Sequence, residues 1–193
     1  MNLTGLGIFL YGLYSTGDLQ NERSGPMSLS EGEKWMRHAL AEAQLALKKD
    51  EVPVGAVVVY EDKIIGRGHN QVESLNDPTA HAEIIAIGAA CNFLNSWRLS
   101  DTQLYVTIEP CAMCAGAIVL SRIDRLVYGA KDPKAGACGS LYNIVQDSRL
   151  NHQVEIVPYV LEEECGQLLR EFFEKVRKKI IISGNKTNER NRK

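Results

Sequence analysis

No stretch of this 193-residue sequence is apolar for long enough to cross a bilayer. The apolar opening run, Leu3 to Leu13, is interrupted by glycine and falls well short of the roughly 20 residues a membrane helix needs. The basic leader and small-residue cleavage site of a secretory signal are missing as well. So is a surplus of charge: 22 Lys and Arg against 24 Asp and Glu leave a net charge of -2, and bulk charge announces no nucleic-acid partner. Internal repeats and an interior linker are absent, which argues for one domain. Cysteine is scarce and odd in number, five in all, without the spacing of a disulfide scaffold. The thiols are therefore expected to be reduced, some of them as metal ligands, and the compartment to be cytoplasmic.

What remains has the composition of a globular domain, 45% hydrophobic and 24% charged. Residues 1–26 read as a dispensable extension, residues 27–180 as the domain and residues 181–193 as a basic tail. The basic residues that crowd the end (Arg177, Lys178, Lys179, Lys186, Arg190, Arg192, Lys193) suit either a solubilising terminus or an arm for phosphates. Ser30 reads as an N-cap before an amphipathic helix that runs to about Lys49. Strands are expected at 53–60 and, across a Glu61-Asp62 turn, at 63–68. A helix follows from Pro78, then a strand at 103–108, a helix from Pro110 to about Leu120, a strand at 125–129, a glycine-rich loop at 130–139, a strand at 154–157 and a helix at 161–179. Strands interleaved with helices predict an α/β fold with a mixed five-stranded sheet flanked by helices.

Two segments carry chemistry, Thr79-Ala80-His81-Ala82-Glu83 and Glu109-Pro110-Cys111-Ala112-Met113-Cys114. Cys111 and Cys114, three apart at a helix start, share a face, and the helix N-terminus favours the thiolate form that a metal requires. His81 and Glu83 are two apart, which a regular helix would point to nearly opposite sides. Both face one pocket only if His81 sits at the helix mouth. One imidazole and two thiolates leave a fourth tetrahedral position open, the pattern of catalytic zinc, which lowers the pKa of a coordinated water to about 7. Glu83 is then free to move protons. A Cys-x-x-Cys alone also fits a redox pair or half of a structural zinc site. With His-x-Glu and the preceding proline, it matches the pattern of zinc nucleobase deaminases. Cys138 stands open as a further ligand. Cys91 and Cys165 read as small buried residues on helices, and His38 and His152 as surface or packing residues.

Further segments carry a resemblance. Trp35-Met36-Arg37-His38-Ala39-Leu40, Glu51-Val52-Pro53-Val54-Gly55-Ala56-Val57, Asp77-Pro78-Thr79 before His81, and Leu104 through Ala117 resemble bacterial tRNA-specific adenosine deaminases. So do Gly129 through Leu141 and Asn151 through Ile156. The resemblance covers about Ser30 to Lys179 and implies a three-layer, cytidine-deaminase-like fold. It implies hydrolytic conversion of adenosine to inosine at the wobble position of a tRNA anticodon, by a homodimer with one zinc ion per subunit. It places zinc on His81, Cys111 and Cys114, proton transfer on Glu83 and nucleoside binding on Asn70. Asp132 and Lys134 would touch flanking nucleotides of the anticodon stem-loop, with Phe172 and Phe173 on the helix bordering that groove. Position 138 is expected to be small, and the cysteine there departs from the pattern. Two rivals remain: a deaminase of free bases or mononucleotides, which shares the zinc residues, and a non-catalytic zinc-stabilised RNA-binding subunit, for which Glu83 would have no use.

Overall fold

The β-branched run Val57-Val58-Val59 becomes part of β1 (Gly55–Tyr60), a strand paired along both edges. The protein's structure is a computed structural model that describes the backbone of residues 29–190 and the side chains of residues 31–179. β1 turns into β2 (Lys63–His69) through Glu61 and Asp62, both left-handed at φ 46 and 56, as a two-residue hairpin turn of this twist requires. On its other edge β1 pairs antiparallel with β3 (Gln103–Ile108), which runs parallel to β4 (Arg125–Ala130), itself parallel to β5 (Glu155–Val157). The order β2-β1-β3-β4-β5 makes the expected five-stranded mixed sheet.

Helices cover both faces, so successive β1 residues are buried in opposite cores. Val57 joins Trp35, Met36, Tyr105, Val127 and Cys165 beneath α1 (Leu29–Lys48) and α5 (Glu162–Arg190). Val58 joins Leu104, Ala86 and Ile118 beneath α3 (Ala82–Leu94) and α4 (Ala112–Ser121). Two glycines permit the close docking. A Cβ on Gly55 would lie 2.2 Å from the Ala39 carbonyl oxygen of α1, and one on Gly68 would lie 2.2 Å from the Ala82 carbonyl oxygen of α3. Gly68 thus sets how near the sheet α3 can carry Glu83.

Several boundaries differ from the expected ones. Ser30 is itself helical, within α1 as described from Leu29 onward, rather than capping it. The third helix opens at Ala82, not Pro78, because Asp77 Oδ1 accepts from the Thr79 amide (2.8 Å) and hydroxyl (2.7 Å) and holds a turn there. A short helix, α2 (Val72–Leu75), precedes it unforeseen. α5 continues past Lys179 to Arg190; no proline after Pro158 interrupts it. The predicted tail over 181–190 is therefore helical backbone. The extension at residues 1–26, and the last three residues of the tail, lie outside the described residues.

Candidate active site

His81 and Cys111 are both the residue just before a helix. His81, at φ -75 and ψ 152, is extended, and its carbonyl accepts the Ile85 amide at 3.1 Å to start α3. Cys111, at φ -72 and ψ 174, does the same for α4 through the Ala115 amide at 2.8 Å. The extended backbone at His81 resolves the two-residue spacing problem, because it frees the imidazole from helical geometry. Cys114 follows in the first turn of α4. His81 Nδ1 lies 3.7 Å from Cys111 Sγ and 3.5 Å from Cys114 Sγ. The three ligand atoms all fall within 4.8 Å of one another, an arrangement that can hold a metal ion.

The electrostatics match that use. Hydrogen bonds from Cys114 and then from His81 hold the Cys111 thiol down at about 3. The same Cys111–Cys114 bond, with burial, pushes the Cys114 thiol up. The bond to Cys111 raises His81. The cluster thus shares protons that a divalent cation would displace, since metal binding releases them from its ligands. Two helix N-termini, of α3 and α4, converge here and favour negative charge. Glu83 is 3% exposed; burial foremost raises its carboxyl, which lies within hydrogen-bond reach of Cys114. It is not one of the three clustered ligands. Cys138 lies outside the cluster too: it is buried, and its thiol donates to the Pro110 carbonyl at 3.9 Å.

These groups open onto a cavity of about 690 Å³ whose lining includes Asn70, His81, Glu83, Cys111, Asp132, Lys134 and Phe173. The structure brings the expected residues together, with two refinements. One Asp132 oxygen is engaged in its own loop, accepting from the Lys134 amide at 2.8 Å and the Ala135 amide at 3.2 Å. Phe173 lines the cavity and is 44% exposed, while its neighbour Phe172 is partly buried, 5.4 Å away, and does not line it. Of the remaining cysteines, Cys165 is buried as expected, whereas Cys91 is only half-buried. His152 bonds the Ile123 carbonyl at 2.7 Å and His38 packs on Trp35, both structural roles.

Sequence reasoning missed two buried acids and part of the rim. Glu51 is fully buried and accepts from the Asn70 side-chain amide (3.2 Å), the Ser74 amide and hydroxyl (2.7 Å each) and the Glu73 amide (3.2 Å). It fixes Asn70 and the start of α2 together. Glu109, 1% exposed, accepts from the amides of Asp132, Cys138 and Ser140 and from the Ser140 hydroxyl, and so holds the 130–140 loop. The available signal was an acid at the junction of an apolar strand and a proline, as in Ile108-Glu109-Pro110. Lys131, Arg170 and Arg177 also line the cavity.

Both acids report on acid stability. Burial alone raises the Glu51 carboxyl, but hydrogen bonds from Ser74 and Glu73 outweigh it and hold the group below its ordinary 4.5. Glu109 behaves likewise through Ser140, Asp132 and Cys138. A carboxyl depressed in the folded state adds stability above its unfolded value and loses it as pH falls through the folded value. Glu51→Gln, which turns an amide donor toward other donors, is expected to lose about 1–3 kcal/mol at pH 7. The difference from the native protein should narrow as the pH drops below 4.5, read by thermal unfolding across a pH series. A constant difference would mean that the Glu51 charge is not what stabilises the fold.

The geometry has counterparts. The MafB19-like deaminase model matches residues 30–177. The chain is 51% identical over 151 residues to the tRNA-specific adenosine deaminase of Bacillus subtilis, covering 78% of this chain and 94% of that protein. It is 50% identical to the tRNA-specific adenosine deaminase of Aquifex aeolicus, covering 77% of this chain and 98% of that one. A solved structure from work on A-to-I editing by tRNA:A34 deaminases superposes with a TM-score of 0.68 at 45% identity, over 70% of this chain and 99% of that chain. A guanine deaminase from Nitrosomonas europaea superposes at 0.65 with 25% identity, over 77% and 88%. The chain belongs to the MafB19-like deaminase family and, within it, to the tRNA-specific adenosine deaminases.

Proposed function

We propose that this chain hydrolyses adenosine to inosine at the wobble position of a tRNA anticodon, consuming water and releasing ammonia. The observation that carries the RNA substrate is the rim of the cavity. Lys131, Lys134, Arg170 and Arg177 line it beside the acids Glu73 and Asp132, Arg170 being paired with Glu163 as well, on a chain whose net charge is -2. Cations gathered at one mouth of a slightly acidic protein suit the phosphates of a polynucleotide. A free base needs none of them. An anticodon loop suits the cavity because its unpaired bases can be splayed out.

Zinc fits His81, Cys111 and Cys114, and when bound it supplies an acidified water at neutral pH. The rest belongs to the chain. Glu83, buried beside the cluster, takes a proton from the attacking water and gives one to adenine N1. It then takes the proton of the hydroxyl added at C6, as the C6 carbonyl forms, and delivers it to the departing amino group as the C–N bond breaks and ammonia leaves. A carboxyl raised by burial suits both roles, because it accepts a proton more readily than an exposed carboxylate and can still pass it on. Asn70 binds the nucleoside, with its amide oriented by Glu51. Asp132 and Lys134 flank the entrance and meet neighbouring nucleotides. We read the protein as a cytoplasmic homodimer. The α3–α4 layer leaves Phe93, Trp97 and Leu120 more than half exposed, and exposed apolar side chains of this size mark interfaces. Sedimentation at twice 21.4 kDa checks that reading, and a monomer refutes it. Among the described residues no helix is long and apolar enough to cross a membrane.

The test is salt. If all four rim cations meet phosphates, kcat/KM on an anticodon stem-loop falls roughly fifty-fold between 50 and 200 mM salt. Salt-insensitive turnover, with guanine or a mononucleotide consumed faster than the stem-loop, would move the assignment to a small-substrate deaminase.

A further inference from the structure

A second cleft, of about 350 Å³, adjoins the loop that walls the cavity. Its lining is Tyr128, Lys131, Pro133, Gly139, Ser140 and Tyr159. Lys131 and Pro133 line both spaces, so their strip of loop forms the border between the two.

Tyr159 is held at φ 67, a left-handed conformation that a bulky residue rarely adopts. Two residues on, Leu161 has φ 53, and Val160 between them is buried. Strain of this kind persists where the surroundings over-determine it, and it gathers at ligand clamps. Here the β5–α5 connection sets the Tyr159 ring beside the cleft. The residue is 49% exposed, and its ring meets that of Tyr128 edge-on, 5.9 Å between centroids at 78°. The facing wall is fixed, because the Ser140 amide and hydroxyl both donate to the buried Glu109. Gly139, at φ 143, leaves that wall without a side chain. Of the six lining residues Lys131 alone is charged, and none is acidic. An exposed aromatic ring beside a lone cation suits a base and its phosphate, the combination by which single-stranded nucleic acid is gripped without regard to sequence.

We propose that this cleft is a second nucleotide subsite, which takes the nucleotide adjacent to the one deaminated, its base stacked on Tyr159 and its phosphate on Lys131. The assignment rests on the RNA reading of the main cavity. The shared border gives the path: a neighbour of the nucleotide in the main cavity reaches this cleft by crossing the strip that Lys131 and Pro133 form.

Tyr159→Gly removes the ring and relieves the left-handed strain, so its melting temperature should equal or exceed the native one. Its KM on a stem-loop should rise about ten-fold, the loss of one stacked base. Tyr159→Phe, which keeps the ring, should restore the native KM. Independently of any variant, an abasic site at one of the two neighbours of the target adenosine should raise the native KM by about the same factor. The same abasic site should add nothing to Tyr159→Gly. A native KM for Tyr159→Gly, no abasic penalty at either neighbour, or penalties that multiply would each overturn the subsite. Inosine formed with those results would sink the subsite alone; no inosine on any stem-loop would take the RNA reading down with it.

Discussion

Glu83→Gln is expected to retain one metal ion per chain and to lose at least about 10²–10⁴-fold in kcat, the span that positioned acid–base groups supply. Glutamine keeps the size of the buried side chain, and Glu83 is not among the clustered ligands, so metal content and melting temperature should change little. What disappears is a carboxyl that can be emptied and refilled with a proton beside the reacting base. KM should move far less than kcat, because the group acts on the transition state more than on binding. Metal analysis beside steady-state kinetics on a stem-loop checks the split. A Glu83→Gln protein that turns over at the native rate would remove the proton-shuttle role, and one that loses its metal would make Glu83 a ligand.

Cys111→Ser should remove metal and activity together. A hydroxyl that stays protonated at neutral pH replaces a thiol that its neighbours hold at about 3, so the cluster loses its readiest anionic donor. The stability readout is separate. Metal at a thousand times its dissociation constant stabilises the folded state by about 4 kcal/mol, and for a chain of this size each kcal/mol is worth about 2–4 °C. Chelation is therefore expected to lower the native melting temperature by roughly 8–16 °C while leaving Cys111→Ser nearly where it began. Equal shifts in both would place the metal elsewhere.

The local features of this fold were legible because local chemistry fixes them. β3 falls at 103–108 as its apolar run predicts, and the hairpin turn falls on Glu61-Asp62, where both residues take the left-handed backbone. The zinc-type cluster was legible for a related reason: its ligands sit at two helix starts, where sequence spacing constrains direction. The unforeseen parts depend on contacts distant in the chain. α2 begins where the Glu51 carboxylate receives the Glu73 and Ser74 amides, an N-terminal partner more than twenty residues upstream. The third helix starts late because Asp77 captures Thr79. The roles of Glu51 and Glu109 required knowing which amides face them, and neither pattern nor composition contains that. Arg177 read in sequence as part of the basic end and Arg170 carried no signal; the docking of α5 beside the 130–140 loop brings both to the cavity.

The central claim is that an RNA adenosine, not a free base, is the substrate. Metal-loaded native protein incubated with an anticodon stem-loop, followed by reverse transcription and sequencing, tests it most directly. Inosine pairs as guanosine, so the account predicts adenosine read as guanosine at the wobble position alone. Unchanged RNA from protein that carries its metal and consumes free guanine or a mononucleotide would contradict it.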